Sequence, residues 1–268
     1  MPPPPPHRLA CVLALLSSIG CGSSPSVIGT FHGPSEGQDA SVPWPGSPGD
    51  DSATRAPASV SSALCGDLMA TVRDFSVAHA DFEAFQGEGP TRGLVEDVLG
   101  IDAKPRYAPS GPTGQTSGQR EFGQWYRDVP GVNTPLSVPL RLDMRHDGVR
   151  VFDSDAFFPI DGLGFGNEGL AHNYHFTTEI HTEFVYEGGE VFKFRGDDDL
   201  WIFVDDELVV DLGGLHEALR TTLHMDEVAE RLGLELGERY PMDIFHAERH
   251  TTDSHFHIET TLCFVDII

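Results

Sequence analysis

Apolar and polar residues alternate with a period of two along most of the chain after Leu64, as in β-strands that bury one face. Five segments show the pattern most clearly: 191–195, 200–204, 207–212, 240–249 and 256–264. The second of these is almost entirely apolar, which is typical of a strand buried on both faces. For segment 67–85 the pattern leaves both a short helix and a loop open.

Turn and helix signals separate these strands. Asp205 and Asp206 lie between two apolar runs, which predicts a tight hairpin. One short helix is predicted from Asp226 to Leu232, with Gly233 at its C-terminal stop. Strands at regular spacing with glycine-rich turns predict an all-β fold, an antiparallel β-sandwich or barrel with one short helical insertion.

The first 63 residues differ from the rest. Residues 1–21 have a short apolar run followed by small residues, which predicts a signal peptide. The end of this segment, Ser18 to Cys21, resembles a bacterial lipobox, in which Cys21 is lipidated; an ordinary signal peptide with an incidental cysteine is the alternative. In segment 22–63, 22 of 42 residues are Gly, Pro or Ser, which predicts a linker. The folded domain is therefore predicted to be 64–268.

Cys65 and Cys263 lie at the two ends of the predicted domain. In an exported protein such a pair predicts one disulfide, and two buried free thiols are the alternative.

The chain is strongly acidic, with 42 Asp and Glu against 17 Lys and Arg and a formal net charge of −25. Such a chain repels phosphate backbones and anionic membranes, which excludes nucleic-acid binding and leaves membrane contact to an N-terminal lipid. The acidity is typical either of a cation-binding surface protein or of a protein that is merely very soluble.

An ordered series of motifs resembles the bacterial fibro-slime domain over residues 67–264. The series consists of TVRDF at 71–75, HADFE at 79–83, FGQWYRDVPGVN at 122–133, FFPIDG at 157–162, HNYHFTTE at 172–179, FRGDDDLWIFV at 194–204, DLGGLH at 211–216 and FHAERHTT at 245–252. That family is similar to PA14-like domains, which are β-sandwiches of adhesins and glycan-binding modules. The resemblance implies a bacterial surface protein with a PA14-like antiparallel β-sandwich.

Asp197, Asp198 and Asp199 lie between two predicted strands. Adjacent carboxylates repel one another, and oxygen ligands of this kind suit the hard cation Ca²⁺. The resemblance to PA14-like lectins implies that Asp197 and Asp198 bind calcium and are joined by a cis peptide bond, with Asp199 as the next candidate. The spacing of seven residues from Asp198 to Asp205 repeats the spacing in those lectins. A solvated acidic loop is the alternative.

A second loop is implied by the same resemblance, late in the domain, where Asp253 and Ser254 carry suitable oxygens; a plain turn is the alternative. The chain also departs from the family at the hairpin, where Asp205 and Asp206 replace the usual Asn-Gly pair.

Histidines alternating with carboxylates suggest a competing chemistry. If 171–184 is extended, one strand face carries Asn173, His175, Thr177, Glu179, His181 and Glu183, and a second face carries His246, Glu248 and His250. Together these faces form a candidate zinc or iron centre of a metal-dependent enzyme. The alternative is that the histidines are structural, with Glu248 and Arg249 forming an ion pair or hydrogen-bond hub.

The sequence thus predicts an exported, calcium-dependent carbohydrate-binding or adhesion module without catalysis. It is either a lipoprotein of the outer membrane and cell surface or a secreted protein, and its partner is a carbohydrate of the matrix or of a neighbouring cell. Trp125 and Tyr126 are candidates for stacking on the sugar, whereas Trp201 lies in an apolar run and is expected in the core. A metalloenzyme and a purely structural matrix module are the alternatives.

Overall fold

The computed structural model describes residues 65–85 and 89–265, which all lie in one compact unit, Arg55–Ile268. The other unit, Met1–Thr54, lies outside the described residues. The predicted signal peptide, Cys21 and the linker 22–63 also lie outside them and stay predictions, as do the domain bounds 64–268.

The described residues form twelve strands and two short helices. The strands are β1 (Leu68–Phe75), β2 (Asn133–Leu140), β3 (Asp143–Met144), β4 (Arg150–Ser154), β5 (Phe176–Val185), β6 (Val191–Gly196), β7 (Asp199–Val204), β8 (Glu207–Leu212), β9 (Leu219–His224), β10 (Arg239–Glu248), β11 (Phe256–Thr260) and β12 (Phe264–Val265). The helices are α1 (Gln119–Phe122) and α2 (Met225–Leu232), and within the described ranges no helix is long and apolar enough to span a bilayer. The predicted all-β fold class is confirmed, with one more helical turn than expected.

Two antiparallel sheets pack face to face. The larger has the order β2-β1-β5-β10-β7-β8, with β12 also paired to β5, and the smaller has the order β3-β4-β11-β6-β9. Alternate residues of each sheet point into a shared core, where Ile180, Ile202 and Ile244 of the larger sheet belong to one cluster with Phe194 and Ile258 of the smaller. The structure is therefore a β-sandwich, as predicted.

The outer face of the larger sheet is buried as well. Side chains from the segment between β1 and β2 pack on Trp201 and Phe203 in a second cluster, which explains why β7 is apolar at every position from 200 to 204. Trp201 is a core residue, as predicted. Trp125 and Tyr126 are fully buried in the same cluster, so the prediction that they stack on a sugar is wrong.

The turn and helix signals of the sequence are confirmed, whereas two predicted segments differ from the structure. Asp205 and Asp206 form the β7–β8 turn with φ of 50° and 65°, and Gly233 ends α2 in the left-handed region at φ 76°. The segment 67–85, for which the pattern left a short helix or a loop open, contains β1, so both alternatives are wrong for Leu68–Phe75. The strand predicted at 256–264 is two strands in different sheets, because the chain turns after Thr260, whose hydroxyl accepts a hydrogen bond from the Leu262 backbone N–H.

The ends of the domain are joined covalently. Cys65 and Cys263 form the predicted disulfide, with Cα atoms 4.9 Å apart. The pairing arises because the start of β1 lies beside β12, where the Gly66 backbone N–H donates to the Phe264 carbonyl at 2.9 Å.

Candidate functional site

Three connections cross from one sheet to the other at the same end of the sandwich. They are the β6–β7 link at 197–198, the β8–β9 loop at 213–218 and the β10–β11 loop at 249–255. In each case the two flanking strands belong to different sheets, so the connection must span the end of the core. The tertiary fold therefore brings together three segments that are far apart in sequence.

These connections enclose a cavity of about 480 Å³. It is lined by Asp197, Asp198, Leu215, His216, Glu217, Ala218, Glu248, His250, Thr251, Thr252, Asp253 and His255. Five of these twelve described residues are acidic, and no lysine or arginine is among them. The cavity is therefore a polar pocket of negative charge.

Asp197 closes the edge of the cavity next to β11. Its carboxylate accepts hydrogen bonds from the His255 backbone N–H at 2.6 Å and contacts His255 Nδ1 at 2.8 Å. Its carbonyl accepts from Nε2 of the buried His246 at 2.5 Å. Because each carboxylate oxygen has two lone pairs, Asp197 keeps acceptor capacity toward the cavity although only 6% of it is exposed.

Asp198 lies beside Asp197, and the peptide bond between them is cis, as the resemblance to PA14-like lectins implies. Its carboxylate accepts from the Arg249 backbone N–H at 3.1 Å and from that of His216 at 3.4 Å, so it touches both other loops. Burial raises the pKa of Asp198 to about 7. The positive charge of Arg249 opposes the rise, and the negative charges of Asp199 and Asp197 add to it. A cation bound directly at the Asp198 carboxylate would favour its charged form and so lower this pKa.

Glu248 is the third buried carboxylate of the cavity, and the sequence predicts it either on the histidine-rich face or in an ion pair or hydrogen-bond hub with Arg249. It is 1% exposed, and its Oε2 atom has no hydrogen-bond partner. Burial raises its pKa well above the usual range, and the charges of Asp198 and Asp197 add to the rise. Its sequence neighbour Arg249 pairs instead with Asp199.

Asp199 and Ser254 were predicted as ligands, but the structure places both outside the cavity lining. Asp199 is fully buried and accepts from Arg249 Nε at 2.6 Å and from the Gly214 backbone N–H at 2.5 Å, so its charge is already compensated. Ser254 is also fully buried and donates its hydroxyl to the Phe157 carbonyl at 2.8 Å. The predicted residues that do meet at the cavity are Asp197, Asp198 and Asp253.

The two histidine-rich faces do not form one centre. In the β5–β10 ladder His181 pairs with Asp243, whereas His246 pairs with Thr178, so the two histidines lie on opposite faces of the sheet. His181 contacts Asp243 on the covered outer face at 2.5 Å. The predicted zinc or iron centre therefore cannot form from these two faces, because the sheet separates their side chains.

The donor set at the cavity suits a hard cation. Carboxylate oxygens dominate, and the buried Glu248 Oε2 lacks a partner. Within the part of the chain that the structure describes, no three His, Cys, Asp or Glu side chains lie close enough to enclose a metal by themselves. Calcium takes 6–8 oxygens and accepts backbone carbonyls and water among them, so Asp197 and Asp198 fit as its protein carboxylates.

The buried carboxylates predict a pH dependence in metal-free buffer. The pKa of Asp198 is about 7 in the folded chain against 3.8 for the free side chain, so its contribution to stability is present below pH 3.8 and is lost as the pH rises to 7. We expect the wild-type free energy of unfolding to fall from pH 5 to pH 8, and Asp198→Asn to reduce that slope. Urea denaturation at the two pH values measures it, and equal slopes for both proteins would contradict the assignment.

The sequence assigns no role to the loop 213–218 and places Glu248 in a different predicted site. The matched motif at 211–216 includes His216 but not Glu217, and nothing local indicates that this loop meets Asp198. Glu248 is predicted on the histidine-rich face with His246 and His250, or as a partner of Arg249, and not beside Asp197 and Asp198. Glu248 had a usable signal: it continues the buried positions Met242, Ile244 and His246 of β10, where a carboxylate is expensive.

Comparison with known proteins relates the chain to a domain family. The family model of the PA14 domain matches residues 166–265. Protein psiD of Dictyostelium discoideum is 42% identical over 212 residues, covering 74% of this chain and 41% of psiD. Protein psiR of the same organism is 40% identical over 200 residues, covering 69% of this chain and 20% of psiR. The chain thus spans less than half the length of these relatives.

Solved structures show only a distant likeness. The PA14 sugar-binding domain from an RTX adhesin has 10% identity and a TM-score of 0.33, and the match covers 74% of this chain and 90% of that domain. The epithelial adhesin 9 A domain from Candida glabrata, solved with Galb1-4GlcNAc, has 9% identity and a TM-score of 0.35, with 76% and 91% covered. TM-scores this low carry no argument about function.

The narrower resemblance to fibro-slime proteins, and a bacterial origin, stay predictions; the two relatives above come from Dictyostelium discoideum. Every residue that lines the cavity falls between 197 and 255, inside the segment that the family model matches. The chain therefore contains a PA14 domain at residues 166–265, and the three connections that form the cavity belong to it.

Proposed function

We propose that this domain is a calcium-dependent carbohydrate-binding module of an exported adhesion protein, with Ca²⁺ held at Asp197 and Asp198. The observation that carries the proposal is the pair of buried carboxylates at the wall of an open acidic cavity without lysine or arginine among its described lining residues. Two adjacent buried carboxylates are costly unless a cation compensates them. Asp253, on the exposed loop opposite, supplies a further oxygen toward the same space.

A carbohydrate suits the remaining space. The cavity of about 480 Å³ lies within the range of small-molecule sites, and its lining is mostly polar. Vicinal sugar hydroxyls are neutral oxygen donors, so they can take the coordination positions that two carboxylates leave open. Loops 213–218 and 250–253 border the cavity and would select among sugars.

Catalysis has less support than binding. The histidine and carboxylate faces proposed for a metalloenzyme lie on opposite sides of the larger sheet. A purely structural matrix module needs no charged cavity at the end of the sandwich. That alternative therefore does not explain why Asp197, Asp198 and Glu248 are buried there.

Carbohydrate binding is tested with the full chain on a glycan array, with Ca²⁺ and with a chelator. We expect binding only with Ca²⁺, and we expect Asp198→Asn to abolish it. Asp143→Asn serves as the matched control, because Asp143 is an exposed carboxylate on β3, in the smaller sheet, and does not line the cavity. Binding of wild type that persists in chelator, or that survives in Asp198→Asn, would contradict the proposal.

Export and surface anchoring complete the proposal. The Cys65–Cys263 disulfide supports an oxidising compartment. If Cys21 is lipidated, the native protein partitions with membranes, and Cys21→Ser releases it or leaves it unprocessed. Equal recovery of both forms in the soluble fraction would favour the plain signal peptide.

A further inference from the structure

Glu248 is a buried acid whose charge is compensated only in part, by the Ser254 side chain and the His250 backbone. It is the last residue of β10, it is 1% exposed, and it lines the cavity. Its Oε2 atom is buried and has no hydrogen-bond partner. Leaving such an acceptor unsatisfied destabilises the folded chain, and more so when the group is charged.

Nearby cations do not relieve it. Alternation along the strand turns Arg249 away from Glu248, and the guanidinium lies on the far side of the sheet against Asp199 and the ring of Trp125. The other acids at the cavity raise the cost, because Asp197 and Asp198 repel a charge on Glu248. The remaining compensation of the Glu248 charge therefore has to come from what enters the cavity.

The carboxylates of Asp197, Asp198 and Glu248 do not all lie close enough to coordinate one ion directly. Among the described residues, no three acidic or histidine side chains enclose such a position. A hydrated cation removes this difficulty. Calcium commonly keeps water among its 6–8 ligands, and a metal-bound water is a strong hydrogen-bond donor. The unpaired Oε2 atom is an acceptor at the wall of the same cavity.

We propose that Glu248 is a third carboxylate of the cation site and holds a water molecule on the ion bound at Asp197 and Asp198. This inference rests on the proposed function, and it adds a positioning residue outside the two loops that the sequence had indicated. It also accounts for a carboxylate at a core-facing position of β10, where Met242 and Ile244 precede it.

Calorimetric titration of the full chain with Ca²⁺ alone tests the role of Glu248. Loss of a hydrogen-bonded partner of this kind weakens metal binding about 10- to 100-fold, and we expect that loss for Glu248→Gln. Glu217→Gln is the matched control: it removes the same charge from the same cavity, but Glu217 is exposed. We expect its affinity to stay within about threefold of wild type, because exposed charges are screened.

Thermal melting in chelator separates this role from a structural one. Without metal the substitution removes a buried acid that is compensated only in part and is repelled by Asp197 and Asp198, so Glu248→Gln should melt no lower than wild type. A structural role predicts a lower melting temperature with and without Ca²⁺, and would overturn the inference. Wild type and Glu248→Gln binding Ca²⁺ equally would overturn it too, while leaving the proposed function intact. Absence of Ca²⁺ binding by wild type overturns both.

A second measurement needs no variant. Tb³⁺ replaces Ca²⁺ at oxygen sites, and its luminescence lifetimes in H₂O and D₂O count the coordinated waters. We expect at least one water on the ion in the wild-type chain without sugar; a count of zero would overturn the water-mediated role of Glu248.

Discussion

Calcium at about 100 times its dissociation constant is expected to raise the melting temperature of the wild-type chain by about 5–10 °C. Binding to the folded state alone contributes about 2.7 kcal/mol at that ratio. For a domain of roughly 200 residues each kcal/mol corresponds to about 2–4 °C. The physical source is the relief of repulsion between Asp197 and Asp198, which are only 6% and 7% exposed.

Asp198→Asn should remove most of that rise, because the amide keeps the shape of the side chain and loses its charge. The variant should also be at least as stable as wild type in chelator at neutral pH, where Asp198 is costly to ionise. Differential scanning calorimetry with and without Ca²⁺ measures both effects, with Asp143→Asn as control. An unchanged melting temperature of wild type in millimolar Ca²⁺ would remove the calcium assignment.

Arg249→Met is expected to destabilise the domain by about 3–5 kcal/mol, the typical cost of leaving one partner of a buried ion pair alone. Arg249 and Asp199 are both 0% exposed and are joined by a hydrogen bond of 2.6 Å. The same guanidinium donates to the carbonyls of Asp81 and Gln115 and lies over the ring of Trp125. Arg249 therefore links the segment between β1 and β2, which covers the outer face, to the larger sheet.

Urea unfolding measures this loss, and Arg195→Met provides the comparison. Arg195 pairs with Asp155 at the surface, where the side chain of Asp155 is 74% exposed, so its removal should cost less than about 1 kcal/mol. The double variant Asp199→Asn, Arg249→Met should be less destabilised than the sum of the single changes, because no charge is then left unpaired. A cost for Arg249→Met as small as that for Arg195→Met would show that the pair is not buried in solution.

Three residues of the site were predictable because short local sequence patterns indicate them. The acidic run at 197–199 indicated Asp197 and Asp198, and the β10–β11 loop indicated Asp253. The same patterns also indicated Asp199 and Ser254, which the structure places outside the cavity lining, since adjacency in sequence does not show which way a side chain turns. Asp199 begins β7 and faces Arg249, whereas its two predecessors lie in the link between the sheets.

The sequence by itself determined the strands β6, β7, β8, β10 and β11, the Asp205-Asp206 hairpin, the helix ending at Gly233 and the disulfide, because alternation, turn residues and cysteine pairing act over short distances or follow from composition. Only the tertiary structure decided that β6 and β7 belong to different sheets. This crossing and those of the β8–β9 and β10–β11 loops meet at one end of the core, where Glu248 lines the same cavity as Asp197 and Asp198. Strand partners and the face a residue presents depend on long-range pairing, and a one-residue change of register would have reversed them.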